Sequence, residues 1–321
     1  MTREVHQPTS AQFAAAREAV ALHLRPTPTI RLETGRGTLW CKLECLQPTG
    51  SFKVRGAIAA VSAAVERRPD VEVVTASAGN HALGVAFAAR ALGVPATVVL
   101  PTTASPVKVT KLKRFPVQLV QHGAEFADAQ EYALRLADER GAAFISPYND
   151  ANVIAGQSTI GTELLDQVPD IEHLLVPVGG GGLLSGIALA LRSARPTVKL
   201  IGLQPANYAV MVASLEAGRV VDTAHVETIA DGLAGTLEDD SVTFEILRDL
   251  GIPVVTLEEE QIRAAVRTAA MEHGLILEGS AAIAIAAAEL GLVPFDDGPV
   301  AMIATGRNLT ATLLTELIDS Y

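Results

Sequence analysis

The chain has 321 residues, with 25 basic and 36 acidic side chains that give a formal net charge of −11 at neutral pH. Nucleic acids and acidic membrane surfaces bind basic faces, so this balance argues against both as partners. Apolar residues make up 49% of the chain, which is enough to bury a core in one large or two medium domains. We expect neither a membrane span nor a secretory signal, because no stretch has the required apolar length.

From residue 72 onward, short apolar segments alternate with longer amphipathic ones. The apolar segments predict strands at 72–75, 96–100, 117–120 and 143–145. The amphipathic stretches between them predict helices at 80–92, 105–114 and 127–140. Strands that are separated by single helices in this way predict βαβ units, in which the strands are parallel.

A second series of the same kind follows. Its strands are predicted at 174–178, 199–204, 253–257 and 300–305, and its helices at 182–193, 207–217, 260–273 and 279–290. The sequence therefore predicts an α/β fold with two units. Loop-forming residues near positions 68 and 150 suggest a small domain of residues 68–149 and a large domain of residues 1–67 plus 150–321.

The two cysteines, Cys41 and Cys45, lie four residues apart in the stretch WCKLEC. If this stretch is a strand, both side chains point to the same face. Two thiols are too few for a structural zinc site, so we expect a buried and reduced pair. Reduced thiols are typical of a reducing compartment, which favours a cytoplasmic protein.

The stretch GSFKVRGA at 50–57 predicts a tight turn followed by a helix, with Lys53 in its first turn. The free N–H groups and the partial positive charge of a helix N-terminus disfavour an ammonium group and lower the pKa of a lysine there. A neutral lysine amine can attack an aldehyde and form a Schiff base. The alternative is an ordinary solvated lysine, because most lysines are exposed.

A second turn, SAGNHALG at 77–84, follows the predicted strand at 72–75. Ser77, Gly79 and Asn80 can present backbone N–H groups at the start of a helix, and this arrangement binds carboxylates and phosphates. Asn80 can also donate a hydrogen bond from its side chain. The alternative is a simple helix cap with a glycine turn.

The run Gly179–Gly182 in PVGGGGLLSG follows another apolar strand. Four consecutive glycines cost backbone entropy, so they indicate a place where the backbone approaches another group closely. A glycine loop that opens a helix best suits a phosphate, although a close-packed turn would need the same residues. The run matches neither the dinucleotide-binding pattern G-x-G-x-x-G nor the P-loop pattern.

A fourth turn, ATGRNLT at 304–310, follows the last predicted strand. Thr305 at the strand end can direct its hydroxyl toward a ligand, and the alternative is that Thr305 or Asn308 caps the next helix. The sequence contains neither a zinc-binding H-E-x-x-H motif nor a G-x-S-x-G nucleophile motif. A lysine, two anion-binding turns and a hydroxyl together suit a cofactor with an aldehyde, a phosphate and a ring nitrogen.

These turns resemble the motifs of the fold-type II pyridoxal-phosphate enzymes, and most of all those of the threonine/serine dehydratase (ammonia-lyase) and serine racemase group. The resemblance rests on four stretches, LECLQPTGSFKVRGA, TASAGNHALGVAFAA, NVIAGQSTIGTELL and PVGGGGLLSGIA. It implies pyridoxal 5'-phosphate as the cofactor. It also implies two open, twisted, mostly parallel sheet domains of the tryptophan synthase β type, with a cofactor cleft between them and the large domain binding the cofactor.

The resemblance implies a role for each matching residue. Lys53 would hold the cofactor as a Schiff base and later act as the base at the substrate Cα. Phe52 would pack near the cofactor ring, Asn80 would hydrogen-bond the ring 3-oxygen, and Thr305 would face the pyridine nitrogen. The phosphate would lie in the loop formed by Gly179, Gly180, Gly181 and Gly182. The substrate carboxylate would bind to Ser77, Ala78, Gly79, Asn80 and His81.

The reaction that the resemblance implies is β-elimination from L-threonine, L-serine or a related β-hydroxy amino acid. The Cα proton and the β-hydroxyl leave, and the product hydrolyses to a 2-keto acid and ammonia. Serine racemases fit less well, because Ala78 stands where they carry a serine that acts as a second acid/base, and alanine has no transferable proton. A β-replacement enzyme of the cysteine synthase type is the other alternative.

Other positions depart from the racemase pattern. Gln204 and Val210 stand where the racemase-like enzymes place the acids of a cation site, so we expect no metal, with Asp231 the acid to examine as a replacement. Gln130 lies near the position at which some relatives carry an arginine that binds a second substrate carboxylate. The glutamine here argues against dicarboxylic substrates. Arg307 replaces a small residue of the TG-x-N turn, and the pattern assigns it no role.

The resemblance also bears on assembly and pathway. It implies that the protein forms a homodimer. It also implies that the protein binds a small amino acid as its substrate. The chain stops soon after TGRNLT, where the biosynthetic threonine dehydratases continue into a regulatory domain. We therefore expect an enzyme of amino-acid catabolism without feedback control.

Overall fold

The computed structural model describes residues 5–224 and 226–319. The chain folds into two compact units. Unit 1 contains the residues up to Arg25 together with Gln47–Thr159, and unit 2 contains Pro26–Leu46 together with the residues from Ile160 onward. Each unit is built around one sheet.

The secondary structure alternates between strands and helices along most of the chain. The strands are β1 (Thr29–Thr34), β2 (Gly37–Lys42), β3 (Val73–Ala76), β4 (Ala96–Leu100), β5 (Gln118–Gln121), β6 (Ala143–Phe144), β7 (His173–Pro177), β8 (Lys199–Pro205), β9 (Val254–Leu257) and β10 (Val300–Ile303). The helices are α1 (Ser10–His23), α2 (Lys53–Arg67), α3 (Asn80–Leu92), α4 (Pro106–Leu112), α5 (Phe126–Arg140), α6 (Ala151–Gln167), α7 (Gly182–Ala194), α8 (Val210–Ala217), α9 (Val242–Asp249), α10 (Glu259–Met271), α11 (Gly279–Glu289) and α12 (Ala311–Asp319).

The sheet of unit 1 has four parallel strands in the order β5-β4-β3-β6. All residues of β3 and β4 are buried, as expected for parallel strands that helices cover on both faces. Because β3 and β6 are parallel neighbours, the segments that follow them leave the sheet at the same edge. The turn at 77–79 and the segment at 145–149 therefore lie side by side.

Local sequence signals set the helix ends of unit 1. At the start of α1, the Thr9 hydroxyl accepts from the Gln12 N–H, and the Gln12 side chain accepts from the Thr9 N–H. These reciprocal bonds satisfy two of the N–H groups that a helix start leaves unpaired. Helices α3 and α5 are followed directly by Gly93 and Gly141, with φ of +71° and +59°, a conformation that glycine adopts at the least steric cost.

The sheet of unit 2 has six strands in the order β1-β2-β10-β7-β8-β9. β1 and β2 form an antiparallel hairpin in which Thr34 faces Gly37, and all the other pairs are parallel. Because β7 and β10 are parallel neighbours, the glycine loop at 179–182 and the turn at 304–308 leave adjacent strands at one edge. Ligands bind at this carboxyl edge in open α/β sheets.

Helix α11 forms the centre of the core of unit 2. Every one of its residues from Gly279 to Ala288 is buried, and its side chains are almost all alanine and isoleucine. A helix that is apolar on all sides must be enclosed by other elements. It packs with α10 and with strands of the six-stranded sheet, and it places the residues before its first turn close to the end of β10.

The predicted α/β fold is confirmed, and the predicted strands and helices agree with the structure within a few residues. The largest difference is at 207–217, where a short 3-10 turn at Ala206–Tyr208 precedes α8. The strand in WCKLEC ends at Lys42, and Cys45 lies in a 3-10 turn instead of sharing a strand face with Cys41. Both thiols are free and buried.

The two units of the structure place residues up to Arg25 and residues 47–67 together with the predicted small domain. The division of the chain into a small domain of residues 68–149 and a large domain of residues 1–67 plus 150–321 stays a prediction. None of the helices among the described residues is long and apolar enough to cross a membrane.

Candidate active site

Lys53 is the first residue of α2, as the sequence predicts, and glycines bring neighbouring helices against it. A Cβ on Gly84 of α3 would lie 3.1 Å from the Lys53 carbonyl carbon and oxygen. On the other side of α2, a Cβ on Gly156 of α6 would lie 2.7 Å from the Cα of Gly56. Neither position tolerates a larger residue without movement of the backbone, so these glycines fix the place of Lys53.

The Lys53 amine is held by a backbone carbonyl. Its Nζ donates to the oxygen of Pro147 at 2.8 Å, and it lies 5.3 Å from the centre of the Phe52 ring. Burial lowers the pKa of Lys53 to about 8. The direction agrees with the sequence expectation, and burial is the cause that the structure shows. A lysine in this state supplies far more neutral amine near neutral pH than a solvated one does.

His81 holds the segment that contains Pro147. Its Nε2 lies 3.1 Å from the Ile145 oxygen, which also accepts from the Thr75 hydroxyl at 2.8 Å. Burial first, and then the charge of Lys53, lower the pKa of His81 to about 3, against the bond to Ile145. The imidazole is therefore neutral at physiological pH, with its proton on Nε2. Its Nδ1 is buried and has no hydrogen-bond partner among the described residues.

The turn between β3 and α3 faces open space. The Ser77 hydroxyl accepts from the Gly79 N–H at 3.1 Å, so this N–H is engaged within the turn. A Cβ on Gly79 would meet no atom within 4 Å. Asn80 begins α3, and His81 follows it. The first-turn N–H groups of a helix have no intrahelical acceptor, so the turn can receive a carboxylate between Ala78 and His81.

The glycine loop of unit 2 is closely packed. Gly181 has φ of +84° and precedes α7, and a Cβ there would lie 2.9 Å from Cε of Met211. A Cβ on Gly179 would lie 3.1 Å from Cα of Leu233. The hydrogen bonds of the described residues include no acceptor for the Gly180 and Gly181 N–H groups. In the first turns of α7, the buried Ser185 hydroxyl also has no hydrogen-bond partner within the described part of the chain.

Thr305 lies at the end of β10, next to this loop, and only 3% of it is exposed. Its hydroxyl donates to the Ser280 oxygen over a long 3.3 Å. The next residue, Gly306, packs directly on the buried carboxylate of Glu278, which accepts from the Asn308 N–H at 2.7 Å. The sequence offered Asn308 as a helix cap, whereas the structure ties its backbone to Glu278.

Arg307 is exposed at the same turn. Burial raises the pKa of the Cys45 thiol to about 11, and the charge of Arg307 acts in the opposite direction. Arg307 therefore lies close enough to Cys45 to act on it electrostatically. Nothing in the structure gives its guanidinium a role in the site.

Gln204 and Val210, which stand where the racemase-like enzymes place the acids of a cation site, take part in the start of α8. Gln204 is buried, and its side-chain oxygen accepts from the N–H groups of Met211 and Val212 at the start of α8. Val210 is the first residue of that helix, and Asp231 is exposed. The described residues contain no group of three or more His, Cys, Asp or Glu side chains that could hold a metal ion.

The residues present fit pyridoxal phosphate. Each unit by itself contains groups that suit one part of the cofactor. Unit 1 contains an amine with a lowered pKa and an open turn at a helix start. Unit 2 contains N–H groups and the Ser185 hydroxyl, which have no hydrogen-bond partner among the described residues. The latter suit a phosphate, and the hydroxyl of Thr305 suits a ring nitrogen. Sequence patterns alone missed the Pro147 carbonyl and Glu278. A backbone acceptor leaves no residue signature, and Glu278 approaches the turn only through the packing of α11.

The site and the fold define a pyridoxal-phosphate enzyme, and the chain belongs to that family. The family described as "Pyridoxal-phosphate dependent enzyme" matches residues 20–306. An L-threonine ammonia-lyase of Thermotoga maritima is 40% identical over 287 residues, which cover 89% of this chain and 71% of that protein.

Solved structures agree with this relationship. A serine racemase of maize has a TM-score of 0.90 at 30% identity, over 98% of both chains. The processed form of threonine deaminase isoform 2 of Solanum lycopersicum has a TM-score of 0.88 at 34% identity, over 98% of this chain and 96% of that one. The similarity of fold thus includes both a threonine deaminase and a serine racemase.

Proposed function

We propose that this enzyme converts L-threonine, L-serine or a related β-hydroxy amino acid to a 2-keto acid and ammonia by β-elimination. The observation that carries the proposal is Lys53, whose lowered pKa and bond to Pro147 suit an amine that both attacks and accepts protons. The names of relatives such as the L-threonine ammonia-lyase at 40% identity support the substrate class.

Bound pyridoxal phosphate supplies an aldehyde that links to amines and a ring that withdraws electrons from the substrate Cα. Lys53 would hold the cofactor through its Nζ, and the same Nζ, when free, would accept the proton from the substrate Cα. The Pro147 oxygen gives that amine a fixed acceptor at 2.8 Å. This hydrogen bond keeps the free amine oriented within the site, so that it does not turn away into solvent.

The other predicted site residues orient the substrate and the cofactor. The N–H groups from Ser77 to His81 would bind the substrate carboxylate, Asn80 would bind the ring 3-oxygen, and Phe52 would pack near the ring. The loop Gly179–Gly182 would bind the phosphate. Thr305 would donate to the pyridine nitrogen, and its neutral hydroxyl would not protonate the ring, which favours elimination.

The test is keto-acid release from a panel of β-hydroxy amino acids by the wild type and three variants. Lys53→Ala removes the amine, and Lys53→Arg keeps a charge that is not lost at physiological pH. Both should lose at least about a thousandfold in kcat, in keeping with the loss of a covalent and basic group. Lys113→Ala, at an exposed lysine, is the matched control and should keep full activity. Full activity of Lys53→Ala would contradict the proposal.

A serine racemase is the second candidate, because the maize enzyme shares the fold over nearly the whole chain. Ala78 argues against racemase activity, because its methyl group cannot return a proton to the face of Cα opposite Lys53. Chiral analysis after incubation with L-serine separates the two candidates. D-serine formed as fast as pyruvate would favour the racemase, and product that depends on added sulfide would favour β-replacement.

We also propose a cytoplasmic homodimer that binds neither nucleic acid nor membranes. The free and buried thiols of Cys41 and Cys45 support a reducing compartment. The net charge of −11 supports the absence of a nucleic-acid partner. Light scattering should give a mass twice that of the 33.5 kDa chain, and a monomer mass at micromolar concentration would contradict the dimer.

A further inference from the structure

A buried hydroxyl pair outside the four sequence motifs contacts the glycine loop. The Thr243 hydroxyl lies 2.6 Å from the Gly180 oxygen and 2.9 Å from the Ser241 hydroxyl. Thr243 is completely buried, and Ser241 is almost so. Both residues lie at the start of α9, more than fifty residues after the loop along the chain.

The direction of these hydrogen bonds is fixed by chemistry. A carbonyl oxygen can only accept, so Thr243 donates its proton to Gly180. The Thr243 oxygen can then only accept from the Ser241 hydroxyl. The Ser241 oxygen in turn accepts from the Phe244 N–H at 3.3 Å, which caps α9. Helix α9 is thereby connected to the carbonyl of Gly180 through two oriented hydroxyl groups.

Fixing this carbonyl also fixes an N–H group. The peptide that joins Gly180 and Gly181 is planar and trans, so its carbonyl and its N–H point in opposite directions. With the Gly180 oxygen held by Thr243, the Gly181 N–H points away from Thr243. Thr243 also limits the loop sterically, because a Cβ on Gly181 would lie 3.0 Å from Cβ of Thr243.

We propose that Thr243 is a positioning residue for the phosphate of the cofactor. It does not contact the phosphate, and it holds the loop in the conformation whose N–H groups receive it. Four glycines in sequence are flexible by themselves, and ordering them only on binding would cost affinity. Thr243 removes that cost in advance. The inference rests on the assignment of Gly179–Gly182 as the phosphate loop in the proposed function.

The test compares two ligands that differ in the phosphate alone. Pyridoxal phosphate and pyridoxal are titrated by equilibrium dialysis into the cofactor-free, full-length chain carrying Thr243→Val or Thr243→Ser. Valine keeps the shape and loses the hydroxyl, whereas serine keeps the hydroxyl. Thr243→Val should weaken pyridoxal phosphate about tenfold, the scale of one lost hydrogen bond, with pyridoxal unchanged. Thr243→Ser should stay within about threefold of the wild type for both ligands.

Equal losses for the two ligands, or no loss for either, would overturn the role of Thr243. If Thr243→Val does not fold, as judged by circular dichroism and thermal unfolding, Ser241→Ala takes its place. That variant removes the donor to Thr243 and should weaken pyridoxal phosphate selectively by a smaller factor. Unchanged binding of pyridoxal phosphate to Ser241→Ala would then overturn the inference.

A third variant distinguishes failure of this inference from failure of the proposed function. Gly181→Ala introduces a clash and an unfavourable φ directly in the loop. If it leaves the preference for pyridoxal phosphate over pyridoxal intact, the loop is not the phosphate site. If it removes that preference while Thr243→Val does not, the loop assignment stands and only Thr243 loses its role.

Discussion

In the proposed function, the protonation state of Lys53 controls the uptake of the cofactor. Burial lowers its pKa to about 8 from an ordinary value of 10.5, and only the neutral amine attacks an aldehyde. We therefore expect the rate at which the cofactor-free chain takes up pyridoxal phosphate to rise about tenfold per pH unit below pH 8 and to level off above it. Stopped-flow absorbance at the cofactor band measures this rate.

Two observations would decide this prediction. Lys53→Ala should show no pH-dependent formation of the band, because the attacking amine is absent. A wild-type profile that continues to rise toward pH 10.5 would mean that the amine is solvated as in a free lysine. In that case, burial of the Nζ beside Pro147 would not describe the protein in solution.

In the proposed function, Ala78 leaves Lys53 as the proton-transferring group on one face of the substrate Cα, because its methyl group has no transferable proton. The wild type and Ala78→Ser differ by a single oxygen atom, at a half-buried position directly after Ser77. A positioned acid/base group contributes about a hundredfold or more to a proton transfer. We expect Ala78→Ser to raise the rate of D-serine formation from L-serine by about a hundredfold. Chiral chromatography measures it, and a wild type that already equals the variant would contradict the role of Ala78.

Among the secondary-structure elements, α6 has two glycines with opposite environments. A Cβ on Gly156 would lie 2.7 Å from the backbone of Arg55 and Gly56, whereas a Cβ on Gly161 would meet only Ile187, at 3.4 Å. We expect Gly156→Ala to destabilise the protein by about 1–3 kcal/mol through overpacking. Gly161→Ala should be neutral or stabilise by up to about 1 kcal/mol, because alanine favours a helix interior.

Urea unfolding of both variants measures this difference, with circular dichroism as the probe. Because Gly156 packs on the first turn of α2, the Gly156→Ala variant should also lose cofactor affinity, since α2 carries Lys53. Equal stability of the two variants would show that α2 and α6 do not approach as closely as the structure has them.

The same helices show what a sequence can and cannot reveal. The βα alternation is visible because buried strands and amphipathic helices have different periods. Helix α6 has a weaker signal, because Gly156 and Gly161 both lower helix propensity and only Gly156 is required by close packing. The motif glycines and Lys53 were recognisable from their type and spacing. Thr243 and Glu278 were not, because each reaches its site residue only through a contact distant in sequence.

For the molecule as a whole, discontinuity of the chain is the feature that local patterns do not reveal. Residues up to Arg25 belong to unit 1, Pro26–Leu46 belong to unit 2, and the chain returns to unit 1 at Gln47. Loop composition marks places where a chain can turn, but tertiary packing decides which segments belong together. The predicted boundaries at 68 and 150 mark such loops, and Lys53 follows directly after one of the passages between units.

His81 is a buried histidine whose lowered pKa makes the stability of the whole fold depend on pH. Its pKa is about 3 in the folded chain and 6.5 in a free histidine. As the pH falls from 6.5 toward 3, the unfolded chain binds a proton that the folded chain excludes. Stability therefore decreases with falling pH over this window, by up to about 1.4 kcal/mol per pH unit from this single group.

Substitution of His81 isolates that contribution from those of the many carboxylates. His81→Gln keeps a side-chain donor for the Ile145 oxygen but cannot take up a proton at acidic pH. We expect the free energy of unfolding of the cofactor-free variant to fall less steeply between pH 6.5 and pH 4 than that of the wild type, whatever its absolute stability. Urea titrations at several pH values measure both slopes. Parallel slopes would mean that His81 is protonated in the folded chain, and its neutral tautomer could then not hold the segment that fixes Lys53.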